Sequence, residues 1–201
     1  GILPKGVKQN FNGSLLIDDE KPTDLVKKGQ VGFMFQEPTL FPCLSVKNNI
    51  SLPMKLNNRN STDQLVKELI DKVGLTDYTS YLPSQLSGGM KTRVSLARTF
   101  STKPKLLLLD EPFSGLDIKW KFLLYRELES LILEYKPMVI TVTHDINEAL
   151  LLSNHIFVFS KKGTVLKELN ISKSLPRVFR EDSLKELQEE YFEIQDLIMN
   201  D

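Results

Sequence analysis

From Lys105 onward the chain alternates short apolar runs with longer amphipathic stretches, and this alternation restricts the fold more than any other feature. Leu106 to Leu109 is a four-leucine run ending in Asp110-Glu111. A helical spacing from about Asp117 to Tyr135 leads to a second apolar run, Met138 to Thr143. A helix over Asp145 to Leu152, a strand over Ile156 to Ser160 and a further strand over Thr164 to Leu169 complete the series. Strands that are apolar on both faces and alternate with helices predict a parallel α/β sheet.

Upstream, Ser14 to Ile17 and Val31 to Phe35 read as strands separated by a turn-rich segment. Pro42 and Pro53 are expected to interrupt any long helix around Val46 to Ile50. Ser61 with Gln64 makes a capping-box pattern for a helix carrying Leu65, Val66, Leu69, Ile70 and Val73, with Gly74 as its stop. Ser183 with Glu186 caps a last amphipathic helix over about 182–200, carrying Leu184, Leu187, Tyr191, Ile194 and Ile198.

The 201 residues suit one sizeable core with a subdomain, and 26 basic residues against 26 acidic ones leave no net field to draw nucleic acid or an anionic membrane. A single cysteine, Cys43, excludes an intrachain disulfide and a cysteine-built zinc site, which suits a reducing, cytoplasmic compartment. The apolar runs fall far short of the roughly 20 residues that span a bilayer, and the first residues carry no signal-peptide core.

Asp110 and Glu111 stand where open α/β sheets bind ligands, at the C-terminal end of a strand. One carboxylate there can hold Mg²⁺ while its neighbour polarises an attacking water, although buried strands also commonly end in an acidic turn or cap. Ser87-Gly88-Gly89 opens a helix, so free backbone N–H groups, a hydroxyl and a positive dipole end meet at a sterically open point that fits a phosphate or, more plainly, an N-cap and turn. His144 leaves the end of the second apolar run, before the capping pair Asp145 and Glu148, and reads either as a phosphate donor or as a turn residue. His155 reads as structural. Gln36, after Val31 to Phe35, offers an amide oxygen to a metal or water.

Taken together and in this order, these segments resemble those of the ATP-binding-cassette (ABC) ATPases. Phe35-Gln36-Glu37-Pro38 resembles the Q-loop, Leu86-Ser87-Gly88-Gly89-Met90 the signature, Leu106 to Glu111 the Walker B strand, Ser114-Gly115-Leu116-Asp117 the D-loop, and His144 the switch histidine. Thr92 stands where glutamine is common, and Gly115 where alanine is. Gln36 to Leu40, Met90, Asp110 to Phe113 and Leu175-Pro176-Arg177 are similar to importers of nitrate, sulfonate, taurine and related small molecules, a group that includes importers of pyrimidine precursors.

The resemblance implies a P-loop NTPase-like ABC ATPase domain, one unit over 1–201, mainly a parallel sheet with a helical subdomain at about 40–100. It implies ATP and Mg²⁺ as cofactors, with Glu111 as general base, Asp110 holding Mg²⁺ through water, Gln36 ligating Mg²⁺ and sensing the γ-phosphate, and His144 contacting that phosphate. Ser87, Gly88 and Gly89 would bind a partner's nucleotide in trans, and Asp117 would couple the two sites. The implied partners are a second ATPase subunit in a homodimer, an integral-membrane permease gripped by the segment through Phe41, Pro42 and Leu44, and a substrate-binding protein indirectly. Nucleic acid is not among them, and the implied place is the inner face of the cell membrane.

No glycine opens a GxxxxGK(S/T) loop; Lys161-Lys162-Gly163-Thr164 has the wrong order. By the family's layout the Walker A loop and first strands are therefore expected upstream of Gly1, their strand beside Leu106 to Leu109, and the chain as written is expected to bind ATP poorly on its own. Two alternatives stand beside the importer ATPase: a catalytically silent module lending its signature face in trans, and a non-transport ABC protein acting on DNA or ribosomes. Zero net charge and the lack of a long coiled-coil insertion argue against the latter.

Overall fold

A computed structural model describes residues 13–57, 63–116, 118–172, 175, 177 and 183–200. Three strands, β1 (Val31–Met34), β2 (Leu106–Asp110) and β3 (Met138–Val142), form a parallel sheet in the order β1-β2-β3. Their register sets Met34 beside Leu109 and Leu109 beside Thr141. Leu107 and Leu109 are buried, as a leucine run in a central strand requires.

This arrangement corrects one expectation. β2 is paired on both sides, so no strand position stands open beside Leu106 to Leu109. Among the described residues the unpaired edges are those of β1 and β3, and on β3 Met138, Ile140 and Val142 are about half exposed. The sheet is also less uniformly parallel than the alternation suggested. β4 (His155–Phe159) and β5 (Val165–Asn170) pair antiparallel as a separate hairpin. The short Ser160 to Thr164 connection, turned at Gly163 (φ +79°), cannot carry the crossover that parallel strands need.

Ser14 to Ile17 is not a strand. Asp18 and Asp19 both take left-handed backbone (φ +49° and +62°), closing a tight turn with a single bridge, Ile17 to Glu20. It precedes the short helix α1 (Pro22–Lys27). Beyond β1, Pro53 lies inside one continuous helix, α2 (Val46–Leu56), instead of ending it. The missing N–H costs about 3 kcal/mol, and burial of Val46, Ile50 and Met54, at about 1.5–3 kcal/mol each, outweighs it. Ser45 caps this helix by accepting from the Asn48 N–H.

The helix α3 (Asp63–Lys72) buries Val66, Leu69 and Ile70 and stops at Gly74 in left-handed backbone (φ +63°), as expected; Ser61 lies outside the described residues. Then come α4 (Gly88–Phe100), α5 (Ile118–Tyr135) between β2 and β3, and α6 (Ile146–Leu152). The last helix is broken: a turn, α7 (Ser183–Glu186), precedes α8 (Gln188–Met199), with Leu187 buried at the junction. One core joins α2 to α5 with β1 and β2, and a second joins β4, β5 and α8 with Leu150 of α6.

Candidate functional site

Three adjacent strands deliver three polar side chains to one sheet edge. Gln36 lies two residues beyond β1, Glu111 one beyond β2, and His144 two beyond β3. The Gln36 Nε2 donates to Glu111 Oε2 at 3.1 Å, and His144 Nδ1 stands 3.1 Å from Glu111 Oε1. Gln36 Nε2 also lies 3.5 Å from Ser114 Oγ. Because the strands run parallel and in register, their C-terminal ends coincide, and residues 75 and 33 positions apart meet at one carboxylate.

Local backbone geometry aims that carboxylate. Glu111 donates its N–H to Val142 O at 2.9 Å, which prolongs the ladder one step, yet its φ of +41° turns the chain out of the strand. Left-handed backbone in a non-glycine residue costs about 1–3 kcal/mol, and Ser114 N donating to Glu111 O at 3.2 Å closes the turn that holds it. Buried Phe113 anchors the loop from below. His144 is exposed, with 73% of its side chain accessible, so it faces outward beside a partly covered Glu111.

Asp110 closes β2 opposite Val142 and is exposed at the same edge. No group of three or more His, Cys, Asp or Glu stands together among the described residues, so the chain forms no all-protein metal cage there. Such a donor set suits Mg²⁺, which keeps waters and takes one or two protein oxygens beside substrate phosphates. With its amide nitrogen turned to Glu111, Gln36 leaves its carbonyl oxygen for that purpose.

Ser87, Gly88 and Gly89 sit apart from this cluster, at the N-terminus of α4. Ser87 is the N-cap, accepting from the Met90 N–H at 3.3 Å. A Cβ on Gly88 would meet nothing within 4 Å, and one on Gly89 only Trp120, at 4.0 Å. The fold itself therefore does not demand these glycines, and the space they leave is open to solvent. Asp117 lies outside the described residues.

Under the glycines, α4 is braced by Arg93, whose Nη1 donates to Val73 O at 3.0 Å and whose guanidinium lies 5.2 Å from the Trp120 ring centroid. Neighbouring Glu127 has one buried carboxylate oxygen without a hydrogen-bond partner. Burial pushes its carboxyl up to about 7, against a smaller opposing pull from Arg93. A folded value above the ordinary 4.5 favours the native state below that pH, and the benefit is lost as pH rises through about 7. At pH 8, Glu127→Gln is expected to raise stability by about 2 kcal/mol, allowing for partial solvent screening, and to change little at pH 4. Urea unfolding of both forms at the two pH values checks this.

Behind His144 lies a polar cluster that sequence reading missed. Asp145 caps α6 as expected, accepting from the Asn147 and Glu148 N–H groups. Glu148, expected as its capping partner, instead turns inward: it accepts from Thr143 Oγ1 at 2.6 Å, Tyr125 Oη at 3.2 Å and Lys121 Nζ at 3.2 Å. Lys121 also pairs with Asp145 Oδ2 at 2.8 Å. Burial opposes both charges, but the Lys121 hydrogen bond and charge hold the Asp145 carboxyl below its usual range. Desolvation likewise pulls Lys121 down and is outweighed by Asp145 and Glu148, which hold its ammonium above its usual value. The available signal was the four-residue spacing of Lys121 and Tyr125, which puts both on one face of α5.

Three parallel strand ends meeting at a Gln–Glu–His cluster define an α/β protein with a polar site at one sheet edge, and comparison with known proteins places it. The family model described as "ABC transporter" matches residues 5–114. The chain belongs to the ABC transporter ATP-binding family. It is 39% identical over 183 residues to the aliphatic sulfonates import ATP-binding protein SsuB of Bacillus thuringiensis, covering 90% of this chain and 72% of that protein. SsuB 2 of Pseudomonas syringae is 39% identical over 187 residues, covering 92% and 75%. The uncharacterized ABC transporter ATP-binding protein YtlC of Bacillus subtilis is 36% identical over 189 residues, covering 90% and 70%. Among solved structures, the dimeric ATP-binding cassette MJ0796 bound to ADP and Pi in a post-hydrolysis state superposes with a TM-score of 0.65 at 30% identity, over 78% of this chain and 70% of that one.

Proposed function

We propose that this ABC ATP-binding subunit hydrolyses ATP to drive uptake of an aliphatic sulfonate or a similar small anion through a membrane permease. The observation that carries the reading is the convergence of Gln36, Glu111 and His144 at one sheet edge. Glu111 acts as general base: its carboxylate has lone pairs beyond those used by Gln36 and His144, and one accepts the proton of an attacking water. Gln36 and Asp110 hold Mg²⁺, which when bound neutralises charge on the phosphates. His144 contacts the terminal phosphate.

Ser87, Gly88 and Gly89 serve a nucleotide on a second copy: this helix N-terminus is sterically open, and none of the hydrogen bonds of Gln36, Glu111 and His144 reaches it. Asp117 links the two sites of that dimer. A solute-binding protein delivers the cargo to the permease. The helical region at about 40–100 forms the permease-facing part. There Asn49, fully buried, holds the loop by bonding Phe41 O and Leu44 O, while Phe41, Tyr78, Tyr81 and Leu82 remain substantially exposed. No helix among the described residues is long and apolar enough to cross a membrane.

A second reading is the silent module, in which this chain lends the solvent-open Ser87, Gly88 and Gly89 face in trans to a complete partner. Uptake separates the two. Proteoliposomes holding the assembled transporter are expected to accumulate taurine or an alkanesulfonate only with Mg-ATP inside the compartment facing this subunit, and to stop when Glu111 is changed to Gln. Uptake that survives Glu111→Gln supports the silent module, and uptake without ATP overturns both readings.

A further inference from the structure

We propose that Lys121, Tyr125 and Glu148 form a brace that positions His144 against Glu111, so that α5 sets the geometry of both loops at once. The inference rests on reading the Gln36, Glu111 and His144 cluster as the hydrolysis site. His144 is largely exposed and, among the described residues, its polar contact is Glu111 alone, so its orientation must come from its chain neighbours.

Both neighbours are tied down. Thr143 Oγ1 donates to Glu148 Oε2 at 2.6 Å and accepts the Asp145 N–H at 3.0 Å, which fixes the backbone on either side of His144. Glu148, 2% exposed, takes Tyr125 Oη and Lys121 Nζ on its other oxygen, both at 3.2 Å, and Lys121 reaches Asp145 at 2.8 Å. Tyr125 also stands edge-on to buried Phe113, with ring centroids 4.8 Å apart, two residues beyond Glu111. One residue of α5 thus touches the supports of both loops. A buried ion pair that only stabilised the fold would have no need to bracket a single exposed histidine. Lys121, Tyr125 and Glu148 are positioning residues: they act through Thr143, Asp145 and Phe113.

The chain has two histidines, so ¹⁵N-histidine labelling resolves His144 from His155. Long-range ¹H–¹⁵N spectra near pH 8, above the ordinary imidazole range, report which ring nitrogen carries the proton. The wild-type chain is expected to show His144 protonated on Nδ1, donating to Glu111, and Glu111→Ala to show the averaged pattern of a free ring. Lys121→Met and Tyr125→Phe are expected to lose the Nδ1–H pattern, Lys121→Arg to keep it, and His155 to stay constant throughout. Tyr125→Phe preserves the ring against Phe113, so it stays informative if Lys121→Met unfolds the chain. Retention of the Nδ1–H pattern in folded Lys121→Met or Tyr125→Phe, with its loss in Glu111→Ala, overturns the brace and leaves the site reading standing. Absence of the pattern in the wild type overturns the Glu111 contact and both proposals with it.

Discussion

With Glu111 changed to Gln, the assembled transporter is expected to bind ATP as before and to hydrolyse it about 10²–10⁴-fold more slowly. The substitution keeps the size and the planar head group, so the turn built on left-handed backbone at this position and its Val142 hydrogen bond persist. What disappears is the proton acceptor. The carboxamide oxygen still accepts from Gln36, while its NH₂ can only donate and so requires His144 to present an unprotonated Nδ1; neither group can take a proton from water. Because the change falls on the chemical step, kcat drops and nucleotide affinity holds. Equilibrium nucleotide binding and single-turnover hydrolysis of the two forms check this. An unchanged turnover would remove Glu111 from the base role.

The sequence made the strand ends legible because a leucine run broken by two carboxylates is rarely anything but a strand leaving the core. The same logic located Gln36 and His144, although only the parallel register shows that they share one carboxylate. Pairing order was not legible. Apolar runs carry no record of which neighbour they take, and so an open position was expected beside β2, although β2 is paired on both sides and the edges are β1 and β3. The β4–β5 hairpin was misread for a related reason: periodicity gives strands, while the five-residue connection decides their direction. Pro53 was given more weight than burial, and tertiary packing on Ile50 and Met54 prevailed. The brace behind His144 stayed hidden because a glutamate three residues after a helix cap ordinarily reaches back to the cap, and here Thr143 already satisfies the Asp145 N–H.

Arg177 presents the second large effect. The sequence offered Leu175-Pro176-Arg177 only as a mark of likeness to importers, whereas the structure buries Arg177 to 1% exposure. Its guanidinium donates to Leu150 O and Ser153 O at the end of α6 and to Ile171 O after β5, and its N–H donates to Glu129 Oε1 on α5 at 2.7 Å. One side chain therefore joins the two hydrophobic cores where Leu150 and Leu151 of α6 face opposite ways. Arg177→Ala strands these carbonyls, empties a large buried volume and leaves Glu129 without the positive charge beside it, a combination expected to cost about 3–5 kcal/mol. Arg177→Lys is expected to recover only part of this, since a point charge on a flexible stem cannot reach three diverging carbonyls as a planar fork does. Urea unfolding measures both variants. A loss below about 1 kcal/mol for the alanine form would mean that water replaces the guanidinium, and that the two cores hold together without it.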